Sequence, residues 1–293
     1  MPELPEVQSS VEYLKRKVLE RAFLKTWTDT DKMGVTKGSL TADFEELIKG
    51  EKILDVRRRA KNVVFKLDGD LSLLVHYKMT GHLLYGKWEK TDDGWMSKIE
   101  GPLKEDKMNQ YIHFIFFLDD GNQVAFSDLR KFGKIELWKT NELEEKLSDL
   151  GPEPFSEEFT VDKFKKMIEG RRKMIKPLIM DQSFLSGVGN IYASDALWLS
   201  KIHPETKANK LTEEEAESLY KAIKEVLQEG IKNSGDSMVD FRLPDGTRGN
   251  YQNKQKVYNQ HGDLCNRCRE KNIKKIKVGG RGSYICPHCQ TKK

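Results

Sequence analysis

Three observations predict that the 293-residue chain is a multidomain α+β protein. Short apolar runs separated by turn residues fill the chain up to about residue 140, helical periodicity takes over after residue 150, and two Cys-x2-Cys pairs lie near the C-terminal end. The expected parts are a mostly antiparallel two-sheet domain with a flanking helix, a helical domain, and a small metal-closed finger. A charged fraction of 33% is ordinary for a soluble protein, no apolar run is long enough to span a membrane, and no internal repeat is present.

Taken in order, Leu4, Val7, Val11, Leu14 and Val18 fall on one helical face, which predicts a helix that anchors the N-terminus to a core. Strands are expected at residues 53–57, 63–67, 71–76, 111–118, 124–127 and 135–138, with Asp-Gly and Gly-Asn turns between them. Leu150-Gly151-Pro152-Glu153-Pro154 marks a linker where the pattern changes. Beyond it, Thr212-Glu213-Glu214-Glu215 is a capping box that opens a long helix through about Lys232. Gly187-Val188-Gly189-Asn190 breaks the helical pattern and offers backbone N–H groups ahead of the next helix. That turn suits a phosphate, and it equally suits a plain connection between two helices.

All four cysteines sit in Cys265-Asn266-Arg267-Cys268 and Cys286-Pro287-His288-Cys289, a C-x2-C-x17-C-x2-C spacing that predicts one tetrahedral zinc. Four thiolates leave no position for water, so this zinc is structural, and His288 between two ligands is a bystander. The segment between the pairs, with Ile273 to Val278 alternating apolar and basic and Ser283 to Ile285 returning, reads as a β-hairpin. Without a signal peptide the chain is expected in a reducing cytoplasm, where thiols bind metal rather than pair. Residues 253–293 hold eleven Lys and Arg against two acids, a net of +9, so the overall +5 leaves −4 for the remainder. A metal-fixed hairpin with that surplus suits a phosphate backbone.

The start, Met1-Pro2-Glu3-Leu4-Pro5-Glu6, carries the chemistry. Loss of Met1 would free the Pro2 secondary amine, and an α-amino group near pKa ~8 is far easier to deprotonate than lysine at ~10. Its adduct with a sugar carbonyl carbon is an iminium with no N–H to lose, a lasting electron sink for elimination. Taken alone, the same residues are explained more simply by a proline at the first turn of a helix.

Ordered motifs along the whole length resemble the formamidopyrimidine-DNA glycosylase family. They are the PELPEV start, Arg58 to Lys61, His76 to Gly81, Asp128 to Gly133, Leu150 to Pro154, Ile175-Lys176-Pro177, the Gly187 to Tyr192 turn and the cysteine finger. The resemblance implies an N-terminal antiparallel β-sandwich over 1–149, a linker over 150–158, a helix-two-turn-helix domain over 159–258 with a lesion-capping loop at 234–252, and a zinc finger over 259–293. Duplex DNA containing oxidised bases would lie in the cleft between the halves. A monomer, cytoplasmic and associated with the nucleoid, is expected.

The implied activity is release of 8-oxoguanine and formamidopyrimidines, followed by AP lyase cleavage through β,δ-elimination. Carried over to this chain, Pro2 is the nucleophile, Glu3 the general acid that protonates the sugar ring oxygen, and Glu6 a brace. Lys61 reaches the lesion nucleotide and its phosphate, unless it is simply an exposed hairpin lysine. Met79 and Phe132 wedge into the base stack, and Arg130 meets the orphaned cytosine. Lys176, Asn190 and Arg281 would hold phosphates. Some positions depart from the pattern: Lys131 replaces a usual arginine, Val239 a frequent lysine, and Tyr77-Lys78 smaller residues. Two alternatives remain. One is the related endonuclease VIII group, which takes oxidised pyrimidines; Leu4 and the complete Met79, Arg130, Phe132 set stand against it. The other is a non-catalytic reader of damaged DNA that retains Met1.

Overall fold

The computed structural model describes residues 1–292. Contacts divide the chain into two units, residues 1–148 with 233–252, and residues 149–232 with those from 253 onward.

The first unit opens with helix α1 (Leu4–Val18), whose five periodic apolar residues are all buried. Strands β1 (Phe23–Thr28) and β2 (Val35–Thr36) and helix α2 (Phe44–Ile48) follow. Next come β3 (Ile53–Arg59), β4 (Asn62–Leu67), β5 (Leu71–His76), β6 (His82–Gly86), β7 (Trp88–Thr91) and β8 (Gly94–Ser97). Helix α3 (Pro102–Glu105), strands β9 (Ile112–Leu118), β10 (Gln123–Ser127) and β11 (Lys134–Lys139), and helix α4 (Thr140–Ser148) complete the run.

Two sheets form, in the orders β1-β9-β10-β6 and β2-β11-β5-β4-β3. All neighbours are antiparallel except β2 with β11. Alternation along the strands explains how the sheets pack. Phe114, Phe116 and Leu118 of β9 share one core with Val63, Phe65 and Leu67 of β4 and with Val7, Val11 and Leu14 of α1, so the sheets are the two layers of a sandwich. On the other face of β9, Ile115 packs in a second cluster with Trp88 and Leu103. A β7–β8 hairpin covers that face.

The six expected strands are present. Five others, β1, β2, β6, β7 and β8, lack a readable alternation. In β1 only Phe23 is buried, and β2 has just two half-buried residues.

Segment 233–252, expected within the helical domain, packs with the first unit instead. Its anchors are few and widely spaced, so no periodic signal reveals them. Phe241 enters the sandwich core. Arg242, 2% exposed, holds Asp106 through two bonds, Nε to Oδ2 at 2.7 Å and Nη2 to Oδ1 at 3.2 Å. The Tyr85 N–H donates to the Pro244 carbonyl at 2.7 Å, which lays the segment against β6.

The second unit holds α5 (Val161–Ile168), α6 (Ile175–Ile179), α7 (Asn190–Leu199) and α8 (Glu213–Lys232), then the hairpin β12 (Lys274–Val278) and β13 (Arg281–Ile285). The capping box of α8 forms in both directions, with Thr212 N–H donating to Glu215 Oε2 at 2.9 Å and Glu215 N–H to Thr212 Oγ1 at 3.3 Å. In α7 every residue from Tyr192 to Trp198 is buried, as in a helix covered on all sides. No helix among the described residues is long and apolar enough to cross a membrane.

Two outcomes follow from this packing. Leu14→Ala removes a fully buried side chain by which α1 packs into the sandwich core and is expected to cost about 2–5 kcal/mol, read as a lower denaturation midpoint. Burial alone would raise the Asp106 carboxyl, but the Arg242 guanidinium and the Met108 N–H hold it below the ordinary range. Its stabilising contribution is therefore full above the unfolded value of ~3.9 and is lost as pH falls below it. Amide exchange across 233–252 should quicken as pH drops through that window, and Asp106→Asn should remove the transition.

Candidate active site and metal centre

Chain entry into α1 fixes the N-terminal residues. Glu3 is the N-cap residue, with extended backbone, and forms a reciprocal capping box with Glu6: its side chain accepts the Glu6 N–H, and its own N–H donates to Glu6 Oε2 at 2.6 Å. Pro2 is buried, Glu3 is 2% exposed and Glu6 1%. The other Glu6 oxygen accepts the Asp236 N–H at 2.7 Å. That contact requires Gly235. Its φ of +77° is left-handed, and a Cβ there would lie 2.8 Å from Glu6 Cγ. The structure thus brings Pro2, Glu3 and Glu6 together beneath an exposed Met1, and it adds segment 233–252 to them. Nearby Asp240 was not foreseen from sequence. Burial pushes its carboxyl up against the pull of the N-terminal ammonium and Arg242.

Met79 and Phe132 are not core residues, being 42% and 51% exposed, and Arg130 is exposed as well. The Arg130 guanidinium stacks over the Phe132 ring at 4.6 Å. Fully buried Asp128 ties their two loops together. One of its oxygens accepts the Thr80 hydroxyl and the Arg130 N–H, and the other accepts the Gly133 N–H at 2.7 Å. Sequence reasoning missed Asp128 and Thr80 as positioning residues, because the bond that joins them spans 48 residues of sequence. His76, at the end of β5, is pushed down to about 4 by burial and by Lys78, Lys61 and Lys134, so it is neutral near pH 7. Its Nδ1 accepts the Lys78 N–H at 2.9 Å, which leaves the proton on Nε2. Lys61, in the turn between β3 and β4, is only 5% exposed and is not a solvated hairpin lysine.

In the second unit, three candidates meet at Gly282. Asn190 opens α7 and donates from Nδ2 to the Gly282 carbonyl at 3.1 Å. Arg281 is exposed beside it on β13, after a turn that is only Gly279-Gly280 and so shorter than the sequence suggested. Lys176 lies beneath them, 1% exposed. Its Nζ donates to Ser194 Oγ and Ser283 Oγ, each at 2.8 Å, and reaches the Gly282 carbonyl at 3.5 Å.

The four cysteine sulfurs lie within 4.8 Å of one another, with Cys265 to Cys289 at 3.9 Å and Cys268 to Cys286 at 3.6 Å. A tetrahedron with Zn–S bonds of ~2.3 Å has edges of about 3.8 Å, so these residues fit structural zinc. His288 is half exposed, with Nδ1 3.3 Å from Glu270. Knuckle residue Arg267 stacks on Trp198 of α7 at 3.9 Å and donates to the Trp198 and Leu199 carbonyls at 2.7 and 3.0 Å. It thereby caps the C-terminal end of α7. Removal of zinc by a chelator, or Cys286→Ala, should loosen this cap and speed amide exchange in 264–290 and at the end of α7, with the effect of the chelator reversed by added zinc.

A buried Pro2, Glu3 and Glu6 cluster at the head of a β-sandwich, together with a basic four-cysteine finger on a helical unit, fits the class of zinc-finger DNA glycosylases. Models described as the formamidopyrimidine-DNA glycosylase N-terminal domain, its H2TH domain and the zinc finger found in FPG and IleRS match residues 1–135, 150–242 and 262–292. The formamidopyrimidine-DNA glycosylase of Pelotomaculum thermopropionicum is 40% identical over 99% of both chains, and that of Desulforamulus reducens 38% over the whole of both. Among solved structures, a Lactococcus lactis FPG mutant bound to DNA containing Fapy-dG is similar at a TM-score of 0.84 and 32% identity, covering 99% of this chain and all of that one. A MutM complex with DNA containing carbocyclic 8-oxo-G gives 0.82 and 32%, over the same shares of the two chains. The chain belongs to the formamidopyrimidine-DNA glycosylase family.

Proposed function

We propose that this DNA glycosylase removes 8-oxoguanine and formamidopyrimidines from duplex DNA and then cuts the strand on both sides of the sugar as an AP lyase. The observation that carries the mechanism is the reciprocal Glu3–Glu6 capping box directly after a buried Pro2, the residue whose nitrogen Met1 removal would free. DNA complexes with Fapy-dG and 8-oxo-G analogues among the structural relatives support the substrate class.

In this reading the Pro2 nitrogen bonds to C1′ as Glu3 protonates the ring oxygen and the C1′–O4′ bond breaks; the Pro2 N–H proton is then lost, and the nitrogen lone pair closes the iminium as the base leaves with the glycosidic electron pair and takes up a proton. The resulting iminium acidifies C2′. Loss of that proton expels the 3′ phosphate, and a second elimination expels the 5′ phosphate. Glu6 holds Glu3 in register, and Lys61 serves the lesion nucleotide and its phosphate. Met79, Phe132 and Arg130 occupy the space left by the everted base, with Arg130 donating to the orphaned cytosine. Asn190 and Arg281 hold phosphates, while Lys176 fixes Gly282 and Ser283 beneath them. Segment 234–252 folds over the everted base. One structural zinc, a monomeric state and a cytoplasmic, nucleoid-associated location complete the proposal.

Borohydride added during reaction with an 8-oxoguanine:cytosine duplex should trap a protein–DNA adduct on Pro2, located by peptide mass. Pro2→Gly should abolish it. DNA binding without an adduct on a freed Pro2 would refute the iminium route, and preferential cleavage of thymine-glycol duplexes would move the enzyme to the oxidised-pyrimidine class.

A further inference from the structure

Beside the loops that carry Met79 and Phe132, the first unit holds a cavity of about 590 Å³ whose lining includes Lys32, Lys37, Lys78, Lys131, Lys134 and the Phe132 ring. It lies at the edge of the five-stranded sheet, where short β2 pairs with β11, and none of these lysines has a role in the chemistry above. Asp31 and Glu136 are the acids in the lining. Lys134 pairs with Glu136 at 3.5 Å and Lys131 with Asp29 at 2.9 Å, whereas Lys32, Lys37 and Lys78 form no ion pair among the described residues. The cations are crowded. Burial and the neighbouring Lys134 charge hold the Lys78 ammonium below its ordinary value. Lys78 and Lys131 also have left-handed backbones, at φ of +54° and +53°, a conformation that costs a non-glycine residue energy and gathers at functional sites.

Five like charges gathered at one groove, two of them on left-handed backbone and three lacking a carboxylate, make a positive patch that an anion from outside the chain would neutralise. Lysine is a point charge on a flexible stem, suited to a row of phosphates rather than to one planar carboxylate. Phe132 links the cavity to the base stack, because it lines the one and stacks with Arg130, the residue placed at the orphaned base. We propose that this lysine-lined groove binds the phosphodiester backbone of the strand opposite the lesion, next to the orphaned base. The inference rests on the glycosylase reading, since that reading puts Phe132 and Arg130 at the opposite strand. It assigns Lys32 and Lys37 a share of duplex affinity and places the cost of neutralising that backbone on residues outside the lesion site.

The test compares the wild-type protein with Lys32→Ala/Lys37→Ala in binding a duplex that carries a tetrahydrofuran abasic analogue opposite cytosine, over a series of salt concentrations. Each lost phosphate contact flattens the slope of log K against log salt by about 0.9, so the double variant should be flatter by roughly 2. Neutral methylphosphonates beside the orphaned cytosine should weaken the wild type and leave the double variant nearly unaffected. The same replacement in the lesion strand should weaken both equally. Lys32→Arg/Lys37→Arg should keep the wild-type slope, and matched thermal midpoints would confirm that the alanine variant is folded. An unchanged slope, or a methylphosphonate difference confined to the lesion strand, overturns the inference. Excision of 8-oxoguanine by the same wild-type sample reports separately on the glycosylase reading, so failure of either is seen without the other.

Discussion

The Glu6 carboxylate is the constraint on which the N-terminal end of this molecule depends. A buried carboxylate is costly unless its oxygens are satisfied. Here one oxygen takes the N–H of Glu3 and the other that of Asp236, more than two hundred residues away in sequence. A local event, the start of a helix, is thereby coupled to a long-range one, the seating of segment 233–252. Any shift of that segment must either carry the N-terminus with it or abandon a buried acceptor.

Buried cations have a similar organising part elsewhere. Arg242 secures the same segment to Asp106, and Lys176 fastens the finger hairpin to α7 through two serine hydroxyls. These groups hold loops that have little apolar surface of their own. Removing one partner would strand a charge, which costs far more than the pair itself contributes. The outcome is positional accuracy in places where hydrophobic packing alone would leave slack.

Much of this was legible in the sequence wherever one residue's neighbours repeat a period or a ligand spacing. The apolar stripe of α1, the six long strands, the box at Thr212 and the four cysteines all met that condition. Strand β1, with only Phe23 buried, and the two-residue β2 offered no alternation to read. The candidate site was legible as residue types, since Pro2, Glu3, Met79, Arg130 and Phe132 stood out by motif. Their supports were not. Asp128, Thr80, Gly235 and Arg242 act through contacts distant in sequence, and only folding brings those together. Lys61 and Lys176 show the converse difficulty, because a lysine in a turn or a short helix gives no sign that its ammonium will be buried.

Met1 stands exposed while Pro2, Glu3 and Glu6 are already in place around it. The capping box needs only the backbone and carboxyls of residues 3 and 6, so it is indifferent to what precedes Pro2. A molecule still bearing Met1 would therefore fold and keep its four-cysteine cluster as the trimmed form does. On the proposed chemistry it would nonetheless be inert, because its Pro2 nitrogen is tied up in a peptide bond. On that chemistry, activation is a matter of trimming by an aminopeptidase rather than of folding.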